Sequence, residues 1–213
     1  MLIEALNIGL PKPEIFAGKK ITSGIGKLPT DKTVAVTATG FTGDGNHDTK
    51  HHGGEDKAVC AYSVDHYPYW QKLLGISLPA APFGENLSIS NINEDEISIG
   101  DSFAVGSAIL QVSQPRQPCK TLAARFARND LVKLVVDSGF TGFYFRVLQA
   151  GEIKAGDRLS LIEKDPANIT VTFANRVYHH DRHNKTAMEQ VLAVAALSDS
   201  WRKSFEELLA KCG

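Results

Sequence analysis

The feature that most constrains this chain is a change of rhythm near Glu163-Lys164-Asp165-Pro166. Before it, short apolar runs are closely punctuated by Gly and Pro, the pattern of strands joined by tight turns. Residues Lys32 to Thr39 alternate, with Val34, Val36 and Ala38 on one face, and Ala58 to Ser63, Asn86 to Ser90, Ser107 to Ser113 and Gly142 to Leu148 read as further strands. Alternation in the last of these puts Tyr144 and Arg146 on one face and Phe143, Phe145 and Val147 on the other. One helix is predicted from about Asp65 to Leu74, where Pro68 is tolerable only in the first turn. Its Tyr67, Trp70 and Leu74 share a face that reads as core. Beyond the boundary the period becomes helical, roughly Val171 to His180, Thr186 to Leu197 and Asp199 to Lys211, with Ser198 a natural N-cap. The apolar stripes of the last two helices are Met188, Val191, Leu192 and Ala195, then Trp201, Phe205, Leu208 and Leu209. The expected fold is therefore mainly β (α+β): a β-barrel with a few short helices over 1–165, then a three-helix appendage over 166–213. An internal echo, Glu96 to Phe103 against Glu152 to Leu159, each read as strand, Gly-Asp turn and strand, agrees with a barrel.

Lys and Arg total 23 against 24 for Asp and Glu, so no global field recruits nucleic acid or membrane, and any basic site must be local. The polar edge of the tail, Arg176, His179, His180, Arg182, His183 and Lys185, reads as a solvated face rather than a nucleic-acid surface. Cys60, Cys119 and Cys212 stand at wide spacing with no CxxC, which indicates neither a disulfide framework nor a zinc knuckle. Glu4 interrupts the first apolar residues and a Gly-Leu-Pro turn follows, so no signal peptide is expected, and no stretch approaches a membrane-spanning length. The expected setting is cytoplasmic and reduced.

Chemistry concentrates at Val112-Ser113-Gln114-Pro115-Arg116-Gln117-Pro118-Cys119-Lys120-Thr121-Leu122. Two prolines make this a stiff connector, and good helix-forming residues follow, which sets Cys119 at or beside a helix N-terminus. Unpaired N–H groups, the helix dipole, Arg116 and Lys120 all favour the thiolate, the form that ligates metals or attacks electrophiles. A small buried cysteine in a turn is the plain alternative. The run Gly43 to Lys57 is the richest polar loop; its glycines let backbone approach a ligand, and Lys57 can face a phosphate. His47, Asp48, His51 and His52 in it mimic a zinc site but lack any HExxH register. Phe83-Gly84-Glu85-Asn86-Leu87 either presents a carboxylate and an amide to a ligand or merely closes a hairpin. Ser23-Gly24-Ile25-Gly26-Lys27 matches neither phosphate-loop nor dinucleotide fingerprints and receives little weight.

With these residues in hand, the chain resembles MOSC-domain proteins of the stand-alone bacterial YiiM type. The motifs run in the family's order: Lys50-His51-His52-Gly53-Gly54-Glu55-Asp56-Lys57-Ala58-Val59, Phe83-Gly84-Glu85-Asn86-Leu87, Ile99-Gly100-Asp101, Gln114-Pro115-Arg116-Gln117-Pro118-Cys119, and Gly142-Phe143-Tyr144 through Arg146-Val147-Leu148 with Phe145 as an extra aromatic position. Leu197-Ser198-Asp199-Ser200-Trp201-Arg202 resembles the Ala-Leu-Ser-x-x-Trp run of the family's three-α domain.

The resemblance implies a MOSC-type barrel in which Cys119 ligates molybdenum held by a pterin cofactor. Cys119 and Arg116 are then the expected catalytic residues, and Lys57, His52, Gly53, Gly54, Glu85, Asn86, Tyr144 and Arg146 the expected cofactor-binding set. It further implies an oxidoreductase that reduces N-hydroxylated compounds such as hydroxylaminopurine bases. This chain has no flavin or ferredoxin signature, so an external flavin-type reductase would supply electrons. A homodimer is compatible with that type. Two other readings use the same residues: a sulfur carrier with a Cys119 persulfide, and a non-catalytic anion-binding module. Pyridoxal phosphate is a family-level suggestion for which Lys57 could form the imine, although no pyridinium partner stands out.

Overall fold

The structure is a computed structural model and describes residues 1–48 and 53–212. Among the described residues the strands are β1 Leu2–Ile8, β2 Lys12–Phe16, β3 Lys19–Ser23, β4 Leu28–Pro29, β5 Val34–Thr37, β6 Gly40–Phe41, β7 Val59–Ser63, β8 Leu87–Ser90, β9 Ser102–Val105, β10 Ala108–Pro115, β11 Phe143–Gln149, β12 Gly151–Ile153 and β13 Ser160–Glu163. The helices are α1 Tyr67–Leu74, α2 Lys120–Arg125, α3 Leu131–Ser138, α4 Val171–His180, α5 Lys185–Leu192 and α6 Asp199–Ala210. Eight strands form one curled sheet in the order β13-β9-β10-β11-β7-β8-β1-β4, antiparallel except where β7 meets β8. β1 then bonds back to the chain leading into β13: the Ile3 amide donates to the Asp157 carbonyl at 3.0 Å and the Gly156 amide to the Ile3 carbonyl at 2.8 Å. This back-bonding bends the sheet into a barrel, whose two margins would otherwise expose unpaired backbone.

The barrel interior is filled by the inward faces of its strands, among them Leu6, Val59, Leu110, Val112, Phe143 and Phe145. Phe143 and Phe145 face this core and Val147 packs against it, so the expected alternation in β11 holds. A second cluster beneath α1 joins Trp70, Phe83, Leu122 and Leu131, with Tyr67 and Leu74 packed against it. α1 begins later than expected because Val64–His66 forms a 3₁₀ turn first, leaving Pro68 in the opening turn of the α-helix.

The tail folds as three helices around Met188, Val191, Trp201 and Phe205, and Ile99 of the barrel is part of that core. Ser198 caps α6, its side chain accepting from the Trp201 amide at 3.3 Å. α5 stops at Leu192, short of Leu197, and Ala195 is exposed; residues 193–197 instead turn so that Val194 and Leu197 reach the core. Ala38 likewise falls outside the buried face because β5 ends at Thr37 in a turn. The echo departs from expectation in its first half. Ile97 to Ile99 form no sheet strand; Ile99 donates to the Ile169 carbonyl at 2.9 Å and Val171 to the Ile97 carbonyl at 3.0 Å, so this backbone pairs with the chain entering the tail.

His179 in α4 is half-buried, its Nε2 is without a hydrogen-bond partner among the described residues, and burial together with Arg182 and His180 depresses its pKa to about 4. The unfolded chain takes up a proton near 6.5 that the folded one refuses until about 4. Acidification through that window should therefore lower stability, by about 1–2 kcal/mol after allowance for partial exposure. Urea unfolding at a series of pH values should show a shallower slope across it for His179→Gln than for the parent chain.

Candidate functional site

Three adjacent strands set the site. Tyr144 on β11 lies in register between Gln114 on β10 and Cys60 on β7, so the ends of these strands present their side chains together. β10 runs through Pro115, and the connector then carries Arg116 to Cys119, the N-cap of α2 with an extended backbone (φ −116°, ψ 167°). The stiff proline connector thus places Arg116 and Cys119 at the mouth of the barrel.

They line a cavity of about 210 Å³ together with Lys27, Lys57, Cys60, Asn86 and Tyr144. A larger chamber of about 790 Å³ lies outside it, and Asp48, Lys57, Cys119, Thr121 and Tyr144 line both. Cys119 therefore stands where the inner cavity meets the outer one.

Arg116 is only 5 % exposed. Its amide donates to the Gly142 carbonyl at 3.0 Å and Nη2 to the Phe83 carbonyl at 2.7 Å, while Nη1 is buried without a hydrogen-bond partner among the described residues. Burial works against its charge, yet its pKa is raised, Cys60, Tyr144, Cys119 and Glu85 favouring the cation to the extent that they ionise. A guanidinium keeps its proton at neutral pH in any case, so Arg116 is a buried cation with one donor unmatched among the described residues. Burial pushes the Cys60 thiol up to about 11 against the pull of Arg116, which makes it a buried neutral group. Tyr144 is raised for the same first reason and remains a phenol that can donate.

Lys57 sits in the 3₁₀ turn Glu55–Lys57. Burial lowers its pKa, with Asp56 and Asp48 opposing. Gly54 has φ +98° and its carbonyl accepts from the Lys57 amide at 2.9 Å, so this glycine shapes the turn. Neither Gly53 nor Gly54 lines the cavity.

Other expected site residues occupy supporting positions. Glu85 is fully buried behind the cavity wall, accepting from the Phe83 amide at 2.9 Å, the Tyr67 hydroxyl at 2.5 Å and Ser88 at 3.2 Å. Desolvation raises its pKa, and these bonds hold the loop that turns the Phe83 carbonyl toward Arg116. Asn86 lines the cavity, yet its amide is engaged: Oδ1 accepts from the Cys60 amide at 3.1 Å and Nδ2 donates to Asp44 at 2.8 Å and to the Asn7 carbonyl at 3.2 Å. Arg146 does not join Arg116 and Lys57. Its guanidinium binds Asp56 at 2.5 and 3.0 Å and Gln111 at 3.0 Å, two residues further along β11, where Asp56 meets it before any ligand could. His52 and His51 lie outside the described residues; His47 and Asp48 line the inner cavity, and no cluster suited to a metal ion occurs among the described residues.

The segment given least weight from sequence, Ser23-Gly24-Ile25-Gly26-Lys27, contributes a wall of the inner cavity. A Cβ on Gly24 would meet the Gly45 carbonyl oxygen at 2.2 Å, so glycine permits the loops to touch. Lys27, 3 % exposed, is ion-paired to Asp44, which also accepts from the Gly9 amide at 2.9 Å. The spacing of two glycines before a lysine was the available signal; a pairing partner 17 residues away was not readable.

A barrel of this strand order, with a thiol and a buried arginine at its mouth and three helices packed on its side, is that of a molybdenum-cofactor-sulfurase-like domain. The chain belongs to the MOSC-domain family: the MOSC domain matches residues 48–160 and the YiiM-like 3-alpha helix domain matches residues 169–211. Among its relatives, the Bacillus subtilis protein YflK is 47 % identical over 201 residues, covering 94 % of this chain and 91 % of that one. The crystal structure of YiiM from Geobacillus stearothermophilus superposes with a TM-score of 0.84 at 39 % identity, covering 98 % of both chains. A Gibberella moniliformis protein named reductase is 37 % identical over 168 residues, which are 75 % of this chain and 29 % of that protein. Cys119, Arg116 and Tyr144 lie within the MOSC match, whereas Lys27 precedes it.

The engaged amide of Asn86 makes it a structural linchpin of the wall. Asn86→Ala should cost about 2–4 kcal/mol by stranding the Cys60 amide and loosening Asp44, measured as a lower urea midpoint with unchanged slope.

Proposed function

We propose that the chain is a molybdenum-cofactor oxidoreductase that reduces N-hydroxylated compounds, with Cys119 as the protein ligand to the metal. MOSC domains are associated with molybdenum cofactor binding, and a relative bears the name reductase. The observation that carries the reading is that the buried Arg116, whose Nη1 has no partner among the described residues, lines the same cavity as the Cys119 thiol. A soft sulfur donor in one cavity with a cation that has a donor to spare fits a thiolate-ligated metal carrying a negatively charged organic group. Arg116 would hold that negative charge, Lys27 and Lys57 would add positive potential, and Tyr144 would donate a hydrogen bond at the junction of the two chambers. When bound, the cofactor supplies two-electron oxygen-atom chemistry.

The protein's own part is positional and electrostatic. The fixed cations of the inner cavity would stabilise developing negative charge without reorganising. Substrate would enter from the outer chamber, which Cys119, Lys57 and Tyr144 line. Conversion of an N–OH group to N–H releases water and takes up two electrons and two protons; an external flavin-type reductase is the proposed electron source. The barrel, over 1–165, carries this machinery, and the helices of 166–213 stand beside it. Among the described residues no helix is long and apolar enough to cross a membrane.

Expressed in a host that makes the cofactor, the protein should co-purify with molybdenum and reduce 6-N-hydroxylaminopurine when a reductase is present. Cys119→Ala should lose both while keeping the parent far-UV spectrum. Full activity in metal-free protein would overturn the reading, and a Cys119 persulfide formed with a cysteine desulfurase in place of metal would point to sulfur transfer instead.

A further inference from the structure

We propose that α6 of the C-terminal tail is the specificity wall of the substrate chamber, with Ser200 and Ser204 setting the size of the group admitted; this rests on the reading above. The two chambers differ in chemistry. The inner one holds the buried cations Arg116 and Lys27. Among the described residues the outer one shares Asp48 and Lys57 with it and adds Lys120, Gln114, Gln117, Ser200, Trp201 and Ser204. Amides and hydroxyls both donate and accept, so the end formed by Gln114, Gln117, Ser200 and Ser204 suits a molecular edge with mixed hydrogen-bonding groups. A flat N-hydroxylated heterocycle has that kind of edge.

α6 is registered on the barrel at the point where it meets the chamber. The Ser198 amide donates to the Ser113 carbonyl at 3.0 Å, the Asp199 amide to Asp56 Oδ2 at 3.0 Å, and the Ser200 hydroxyl to Gln114 Oε1 at 3.0 Å. Asp56 is the neighbour of Lys57 and also holds Arg146, so the wall and the catalytic side of the chamber share one anchor. Ser200 and Ser204 are one turn apart on one face, and the Ser204 hydroxyl folds back to the Ser200 carbonyl at 2.8 Å. Both side chains are small and leave the space of the chamber open. Between them Trp201, 2 % exposed, lines the chamber and has a buried indole N–H with no partner among the described residues.

The test uses the full chain with Ser204→Phe and, as a second route to the same filling, Ser200→Leu. Selectivity is the ratio of kcat/KM for 6-N-hydroxylaminopurine to that for hydroxylamine. It should fall about tenfold or more, through KM for the purine. Molybdenum content and far-UV spectrum should match the parent. Binding is read independently by titrating adenine, which has no N–OH to reduce, against tryptophan fluorescence. The parent should show saturable quenching, and Ser204→Phe should weaken it about tenfold. Equal loss for both substrates, unchanged selectivity in both variants, or parent-like adenine binding by Ser204→Phe would overturn the proposal. If the parent reduces neither substrate while adenine binding still depends on Ser204, the reductase reading fails and the wall stands.

Discussion

Burying a guanidinium costs several kcal/mol unless its donors are met, and this chain buries Arg116 to 5 % exposure at the mouth of its barrel. Much of the surrounding structure serves that one group. β10 delivers it on a proline-stiffened connector, the Phe83 carbonyl takes one amino group, and Glu85 is tied down by Phe83, Tyr67 and Ser88 so that this carbonyl stays turned inward. The second amino group is buried without a partner among the described residues, and Arg116 lines the cavity that Cys119 also lines. So many contacts holding one charged group, with a donor still unmatched among the described residues, are what the proposed anionic ligand would use.

The cavity is assembled from parts distant in sequence. The sheet contributes Cys60 and Tyr144 as register neighbours, the N-terminal loops contribute Lys27 through its pairing with Asp44, and Asn86 fastens the two by bonding Cys60 and Asp44 at once. The tail reaches the same place through Asp56, which accepts from the Asp199 amide and from Arg146. Barrel and helices are therefore linked by hydrogen bonds beside Lys57 and the chamber it lines, in addition to the apolar contact of Ile99 with the tail core.

Periodicity made the architecture legible: the alternation of Phe143 and Phe145, the stripe of Trp201 and Phe205, and the Ser198 cap all stand as read. The position of Cys119 was legible because proline and helix-forming residues act locally. What sequence did not disclose was pairing across distance. Arg146 shares a face with Tyr144, yet Asp56, 90 residues away, engages it first. Glu85 and Asn86 looked like ligand groups since their partners, Tyr67 and Asp44, come from elements brought together only by folding. Lys27 was passed over because its motif lacked a known fingerprint, and Ile97 to Ile99 left the sheet because the tail offered its backbone another partner.

The most direct measurement is a crystal structure of protein purified with its cofactor, with anomalous data collected at the molybdenum edge. Ligation by Cys119 with charge pairing at Arg116 predicts one molybdenum peak within bonding distance of Cys119 Sγ and an anionic oxygen of the bound group against Arg116 Nη1. A molybdenum peak away from Cys119, or Nη1 still without an acceptor in the loaded protein, would contradict it.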